Sequence, residues 1–246
     1  MLGVLGGMGP AATVDFLAKL VRLTPAHCDQ EHLPLVLSSL PQTPDRSAAI
    51  LGSGPSPLPA LLDSLERLLQ AGARMVVMPC NSSHHWFDPL QAASPVPLLH
   101  IADATLAALA SCPHPPGPVA ILATRGTLHS GFYQRRLGAA GHPWMSPDGR
   151  LQAEVDAVIR GVKDGSPERA AGAMARIWKH LARAQAGAAL LACTELPLAA
   201  GCLPPPPFAV LDSSLELARA AVAQVLAAPW YRPWRAPRPG TPGRGN

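Results

Sequence analysis

The chain has 246 residues, 48% hydrophobic and 15% charged, which argues against a disordered polypeptide and leaves length for one large or two small domains with real cores. The formal charge of +4 is matched by Arg232, Arg235, Arg238 and Arg244, all in an acid-free stretch from Pro229 onward. The remainder is neutral, so nothing in the globular part would recruit a nucleic acid or another polyanion, and no apolar run approaches the length of a bilayer span.

Leu2–Leu5 predicts a strand that enters the glycine-rich turn Gly6 to Pro10. Pro10 suits the first turn of a helix, and Val14, Leu17, Leu20 and Val21 follow at helical spacing. Leu35–Leu37 predicts a second strand. Leu58, Leu61, Leu62, Leu65, Leu68 and Leu69 form a helical stripe that Gly72 ends. Met75–Met78 predicts a third strand, and Leu98–Ile101, Val119–Leu122, Ala188–Ala192 and Phe208–Leu211 predict four more. Most are separated by helical segments, which predicts an α/β fold with a mainly parallel sheet. Proline and glycine content predicts a disordered basic tail over 229–246.

The five cysteines, Cys28, Cys80, Cys112, Cys193 and Cys202, are odd in number, and no signal peptide precedes the first strand. Reduced thiols in a cytoplasmic protein are expected. A free cysteine is most often a small buried hydrophobe, and Cys28, Cys112 and Cys202 call for nothing more. Cys80 and Cys193 each end an apolar strand and precede a polar pair, Asn81 and Ser82 in one case and Thr194 and Glu195 in the other. The turn after Leu5 likewise has a counterpart, Ala123 to Thr127, after Leu122. This weak repeat predicts two α/β halves that present strand-end loops to a shared cleft. A thiol at a strand end can have its thiolate stabilised by a helix N-terminus and backbone N–H groups. Two facing thiols suit proton removal from one face of a carbon and return to the other. Asn81, Ser82, Thr194 and their N–H groups could hold a substrate carboxylate as charge spreads onto it.

Taken in order, the runs Gly6 to Pro10, Asp29 to His32, Pro41 to Arg46, Met78 to His84, Leu122 to Thr127, Gly161 to Gly165 and Cys193 to Glu195 resemble the aspartate/glutamate racemases, closest to the aspartate racemases. The resemblance runs nearly to the tail. It implies two similar α/β domains with mainly parallel sheets and an active-site cleft between them. On this reading residues 1–104 plus 210–228 form the first domain and residues 105–209 the second. It also implies catalysis by Cys80 and Cys193 without pyridoxal phosphate or metal, a small amino-acid substrate, and a homodimer. Arg46 and Lys163 match positions that hold substrate charge. Met8, Gln42, Asn81, Ser82, Thr124 and Thr127 match positions near the ligand, and His84 matches a family position. Ser82 stands where threonine is usual, Arg125 where a neutral residue is usual, and Ala192 where glycine is usual; the last two bear on substrate preference and rate.

From the residues alone, other roles stay open. Arg46 could be a surface arginine, and Lys163 a lysine that complements a helix C-terminus. Glu195 could orient a neighbour, raise the thiol's pKa by like charge, or simply start a helix. The glycine turn could admit a small substrate or be a tight turn, and it lacks the complete pattern of a nucleotide loop. His84 or His85 could partner Cys80 in a hydrolase, or bind zinc with both thiols, although no CxxC spacing supports zinc. A hydantoin racemase, a maleate isomerase and a non-catalytic amino-acid-binding protein remain as alternatives.

Overall fold

The structure, a computed structural model, describes residues 1–232. Residues 233–246 of the expected tail lie outside the described residues, whereas Trp230 and Tyr231 pack against a hydrophobic core. Among the described residues no helix is long and apolar enough to cross a membrane.

The first half runs β1 (Leu2–Gly6), α1 (Pro10–Leu23), β2 (Leu35–Ser39), α2 (Arg46–Ile50), α3 (Leu58–Gln70), β3 (Met75–Val77), α4 (Phe87–Ala92), β4 (Leu98–Leu99) and α5 (Ile101–Ser111). The second runs β5 (Val119–Ala123), α6 (Arg125–Ser130), α7 (Phe132–Ala139), β6 (Trp144–Met145), α8 (Gly149–Lys163), α9 (Pro167–Arg183), β7 (Ala188–Ala192), α10 (Leu196–Ala200), β8 (Ala209–Asp212) and α11 (Ser213–Ala227). Two four-stranded sheets result, ordered β2-β1-β3-β4 and β6-β5-β7-β8, and every pairing is parallel. The repeat read faintly in the sequence is therefore a repeated topology. Cys80 follows β3 and Cys193 follows β7, strands of equivalent position.

Parallel strands covered on both faces are apolar without alternation, as β1, β3, β5 and β7 are. On one face of the first sheet, Leu2, Val4, Phe16 and Leu20 pack with Leu217, Ala221 and Val225 of α11. On the other, the leucine stripe of α3 buries Leu61, Leu65 and Leu68 against Leu5 and Val76. Each such leucine contributes about 1.5–3 kcal/mol of burial. The second sheet is covered by α8 and α9 on one side and by α5 and α7 on the other.

Val210, Leu211 and Asp212 pair with β7, so β8 lies in the second sheet and α11 follows it from Ser213. β6 was missing from the predicted strands; it is a two-residue edge strand with no apolar run to announce it.

Candidate active site

Cys80 lies just beyond β3 and is 6% exposed; the Ser83 hydroxyl sits between its Sγ at 3.1 Å and Met8 Sδ at 3.2 Å, with both sulfurs as acceptors. The turn that follows, Ser82–Trp86, is a 3₁₀ turn of five residues, too short for a substantial dipole. The expected helix N-terminus is thus replaced at Cys80 by a side-chain donor. The loop is fixed from below by His84. Ile101 N–H donates to Nε2 at 3.1 Å, so Nδ1 carries the proton and donates to the Cys80 carbonyl at 2.9 Å. Burial lowers the His84 pKa to about 4. Both ring nitrogens are occupied by backbone, so His84 is neither a base for the Cys80 thiol nor a metal ligand. His85 is exposed.

Cys193, 5% exposed, follows β7 and donates from Sγ to Glu195 Oε2 at 3.0 Å. Burial, then the neighbouring Glu195 charge and this hydrogen bond, raise its pKa well above the ordinary thiol value; Lys163 acts in the opposite sense. The two thiols therefore sit in opposite hydrogen-bond environments. One accepts from a neutral hydroxyl, and the other donates to a carboxylate. Ala192 pairs with Ala123 and is buried without disturbing β7.

Both cysteines line one small cavity of about 30 Å³, together with Met8, Arg46, Asn81, Ser82, Thr124, Lys163, Thr194 and Glu195. Arg46 donates twice from Nη1, to the Thr43 and Pro44 carbonyls, while its buried Nε has no acceptor. Lys163 ends α8 and is exposed at the mouth. An open cleft of about 510 Å³ adjoins the cavity and shares Asp45, Arg46, Lys163 and Glu195 with it. Asp45 and Ser47, not singled out in the sequence, also line the cavity.

Three expected residues behave differently. Gln42 is exposed and outside the cavity. Thr127 is one layer back, where its hydroxyl contacts Ser82 at 2.9 Å and Thr124 at 3.0 Å. Arg125 turns aside to Asp156 at 2.9 Å and is absent from the cavity wall. The glycine turn serves backbone packing. Gly7 has φ +90°, and a Cβ there would lie 2.4 Å from Leu40 N.

The residues after Cys80 reach into the second half of the chain. Ser82 Oγ lies 2.9 Å from Thr124 Oγ1. Asn81, expected to hold substrate, has its amide engaged at both ends. It donates to Ser213 Oγ at 2.9 Å and accepts from Tyr133 at 2.7 Å. Sequence reading missed Ser83, Tyr133 and Ser213. Only Ser83 had a signal, its place inside the cysteine motif.

A family profile described as Asp/Glu/Hydantoin racemase matches residues 5–221. The chain belongs to this family. Within it, the chain is 28% identical over 231 residues to the broad specificity amino-acid racemase RacX of Bacillus subtilis (strain 168), covering 92% of this chain and 99% of that one. The Picrophilus torridus aspartate racemase superimposes with a TM-score of 0.80 at 31% identity, over 92% of this chain and 94% of that one. Glutamate racemase isoform RacE1 from Bacillus anthracis shares the fold, with a TM-score of 0.70 at 16% identity, over 92% and 82% of the two chains.

Proposed function

We propose that this family member racemises an acidic amino acid, aspartate first, by moving a proton across Cα between Cys80 and Cys193 without pyridoxal phosphate or metal. The observation that carries the reading is the opposite polarity of two thiols in one cavity. Cys80 Sγ has the Ser83 hydroxyl beside it as a donor, whereas Cys193 donates to Glu195, which together with burial holds Cys193 as a thiol. A base and an acid are the starting condition for inversion in one direction, and exchanging their protonation states gives the other.

Arg46 supports the acidic side chain, because its Nε still lacks an acceptor and a guanidinium matches a carboxylate. The hydroxyls of Ser82 and Thr124 meet the α-carboxylate as the transition state loads charge onto it. Lys163 at the mouth adds a second positive charge. The adjoining open cleft favours a second reading within the same chemistry, in which a longer side chain extends past Arg46 and Lys163. The aspartate racemase and broad specificity racemase among its relatives support these two readings respectively.

Incubation with L-aspartate in D2O, with no added cofactor, should yield D-aspartate carrying α-deuterium. Cys80→Ala and Cys193→Ala should each lower the rate roughly 10²–10⁴-fold, the range of a general acid or base. Neither exchange nor inversion from folded, reduced protein removes aspartate and turns the test to glutamate, longer amino acids, hydantoins and maleate. Substantial activity in both single variants ends the two-thiol mechanism. A cysteine hydrolase would give an acyl-enzyme burst on esters, and a binding protein would bind aspartate without exchanging its α-hydrogen.

A further inference from the structure

Four buried groups form a directional chain beneath the cavity. Tyr133 at the start of α7 donates its phenol proton to Asn81 Oδ1 at 2.7 Å. Asn81 Nδ2 donates to Ser213 Oγ at 2.9 Å, and Ser213 donates to the Leu191 carbonyl at 2.7 Å. Tyr133 and Ser213 are fully buried, and Asn81 is nearly so. The two ends are informative. Asn81 is the residue after Cys80, and Leu191 is two residues before Cys193 at the end of β7. Ser213, at the turn into α11, thus ties the loop of one thiol to the strand of the other, and Tyr133 on α7 fixes the remaining end of the Asn81 amide. Each donor has one acceptor along this path, so the polarity is defined and the bonds reinforce one another.

Resting on the two-thiol reading above, we propose that Tyr133 and Ser213 are positioning residues that hold Cys80 and Cys193 in register across the substrate carbon. Neither lines the cavity, so neither touches substrate. Their effect passes through Asn81. Small displacements of an acid or base from its reacting atom are enough to lower rates by about 10²-fold. Thr105 offers an internal control. Its hydroxyl lies 3.5 Å from the Tyr133 oxygen, the longest contact around this group, and it bonds chiefly to the Ile101 carbonyl at 2.7 Å.

The test uses the full chain with exposed Cys28 and Cys202, and Cys112, replaced by serine. Tyr133→Phe and Ser213→Ala are compared with Thr105→Val and the parent. In Tyr133→Phe, kcat for aspartate should fall roughly tenfold to 10²-fold with KM nearly constant. Deuterium from D2O should also appear in recovered starting enantiomer, because abstraction continues while delivery from the opposite face fails. Independently of any substrate, a reagent that fluoresces only after alkylating two thiols should bridge Cys80 and Cys193 more slowly in Tyr133→Phe and Ser213→Ala than in Thr105→Val. All variants are first checked for cooperative unfolding, and Tyr133→Phe, which changes no volume beyond the hydroxyl, stands in if Ser213→Ala does not fold. An inactive parent with altered bridging removes aspartate as substrate but supports the clamp. An active parent whose Tyr133→Phe variant keeps its kcat, label pattern and bridging rate overturns the clamp. So does an inactive parent with unchanged bridging.

Discussion

Glu195 acts on one thiol and not on the other. Its carboxylate accepts from Cys193 and is buried beside it, so it opposes thiolate formation there. Glu195→Gln keeps an acceptor but removes the charge. The Cys193 pKa should then fall, and the alkaline limb of kcat/KM should move to lower pH in the direction where Cys193 is the acid. A pH–rate profile measured from both enantiomers checks this, and identical limbs in variant and parent would refute it. Arg46 has a second duty besides any substrate, since its Nη1 closes the Thr43–Pro44 turn. Arg46→Lys has no fork with which to do both. KM for aspartate should rise about tenfold, equivalent to about 1.4 kcal/mol, and KM for alanine should change less. Equal changes would separate Arg46 from the side-chain carboxylate. Among these residues, the cysteines, Arg46, Lys163 and Glu195 were legible because they stand in short local motifs. Tyr133 and Ser213 were not, because their partner Asn81 is 52 and 132 positions away and a lone tyrosine or serine carries no pattern.

At the scale of elements, the start of α5 depends on uncharged imidazoles. His100 Nδ1 accepts from Ala102 N–H as the N-cap, and its ring packs against His84, Phe87 and Phe132. Burial, and then the neighbouring His84, lower the His100 pKa to about 2, while burial lowers that of His84 to about 4. Folded-state values below the unfolded value of about 6.5 mean that the unfolded chain binds more protons in acid. The contribution of these rings is complete above about pH 6.5 and declines below it, each by about 1.4 kcal/mol per pH unit until the folded pKa is reached. Stability to urea should fall steeply from pH 6.5 to 4.5. His100→Asn, which retains a capping acceptor, should flatten the fall; an unchanged slope would contradict this account. Among the described residues seven of the eight strands were legible as apolar runs; β1, β3, β5 and β7 are buried throughout, whereas β2 keeps its leucines although they are partly exposed. Trp144 of β6 is exposed at an edge, so no hydrophobic run marks that strand. Helix α3 was read from its stripe, whereas α2 and α10, five residues each, have too few turns to show a period.

Over the whole molecule, the cleft is set by contacts between its two walls. Helix α2, which carries Arg46, meets α6 at Gly126. A Cβ at Gly126 would lie 2.7 Å from the Ser47 Cα, a backbone atom that cannot turn aside. Gly126→Ala should push the walls apart, lower stability by about 1–3 kcal/mol and raise KM for aspartate several-fold by moving Arg46 away from the cavity. Denaturant titration and steady-state kinetics measure both effects, and parental values in each would show that α2 and α6 do not set the cleft. On the far side, Lys19 of α1 is buried between Asp15 and Asp212, with 2.6 Å to the latter. The turn at Asp212 and Ser213 therefore joins the walls through an ion pair and through the hydrogen bond that Ser213 accepts from Asn81.

The placement of α11 also governs how the protein is made. Leu217, Ala218, Ala221, Val222 and Val225 cover a face of the first sheet whose strands are synthesised more than a hundred residues earlier. A nascent chain emerging from the ribosome presents Leu2, Val4, Phe16 and Met75 without that cover while the entire second sheet is translated. The second sheet has all its strands and helices before the first gains its lid, so the half translated first is the half completed last. During that interval its bare apolar face is the surface most prone to self-association, and holding it is the task this topology sets for a chaperone.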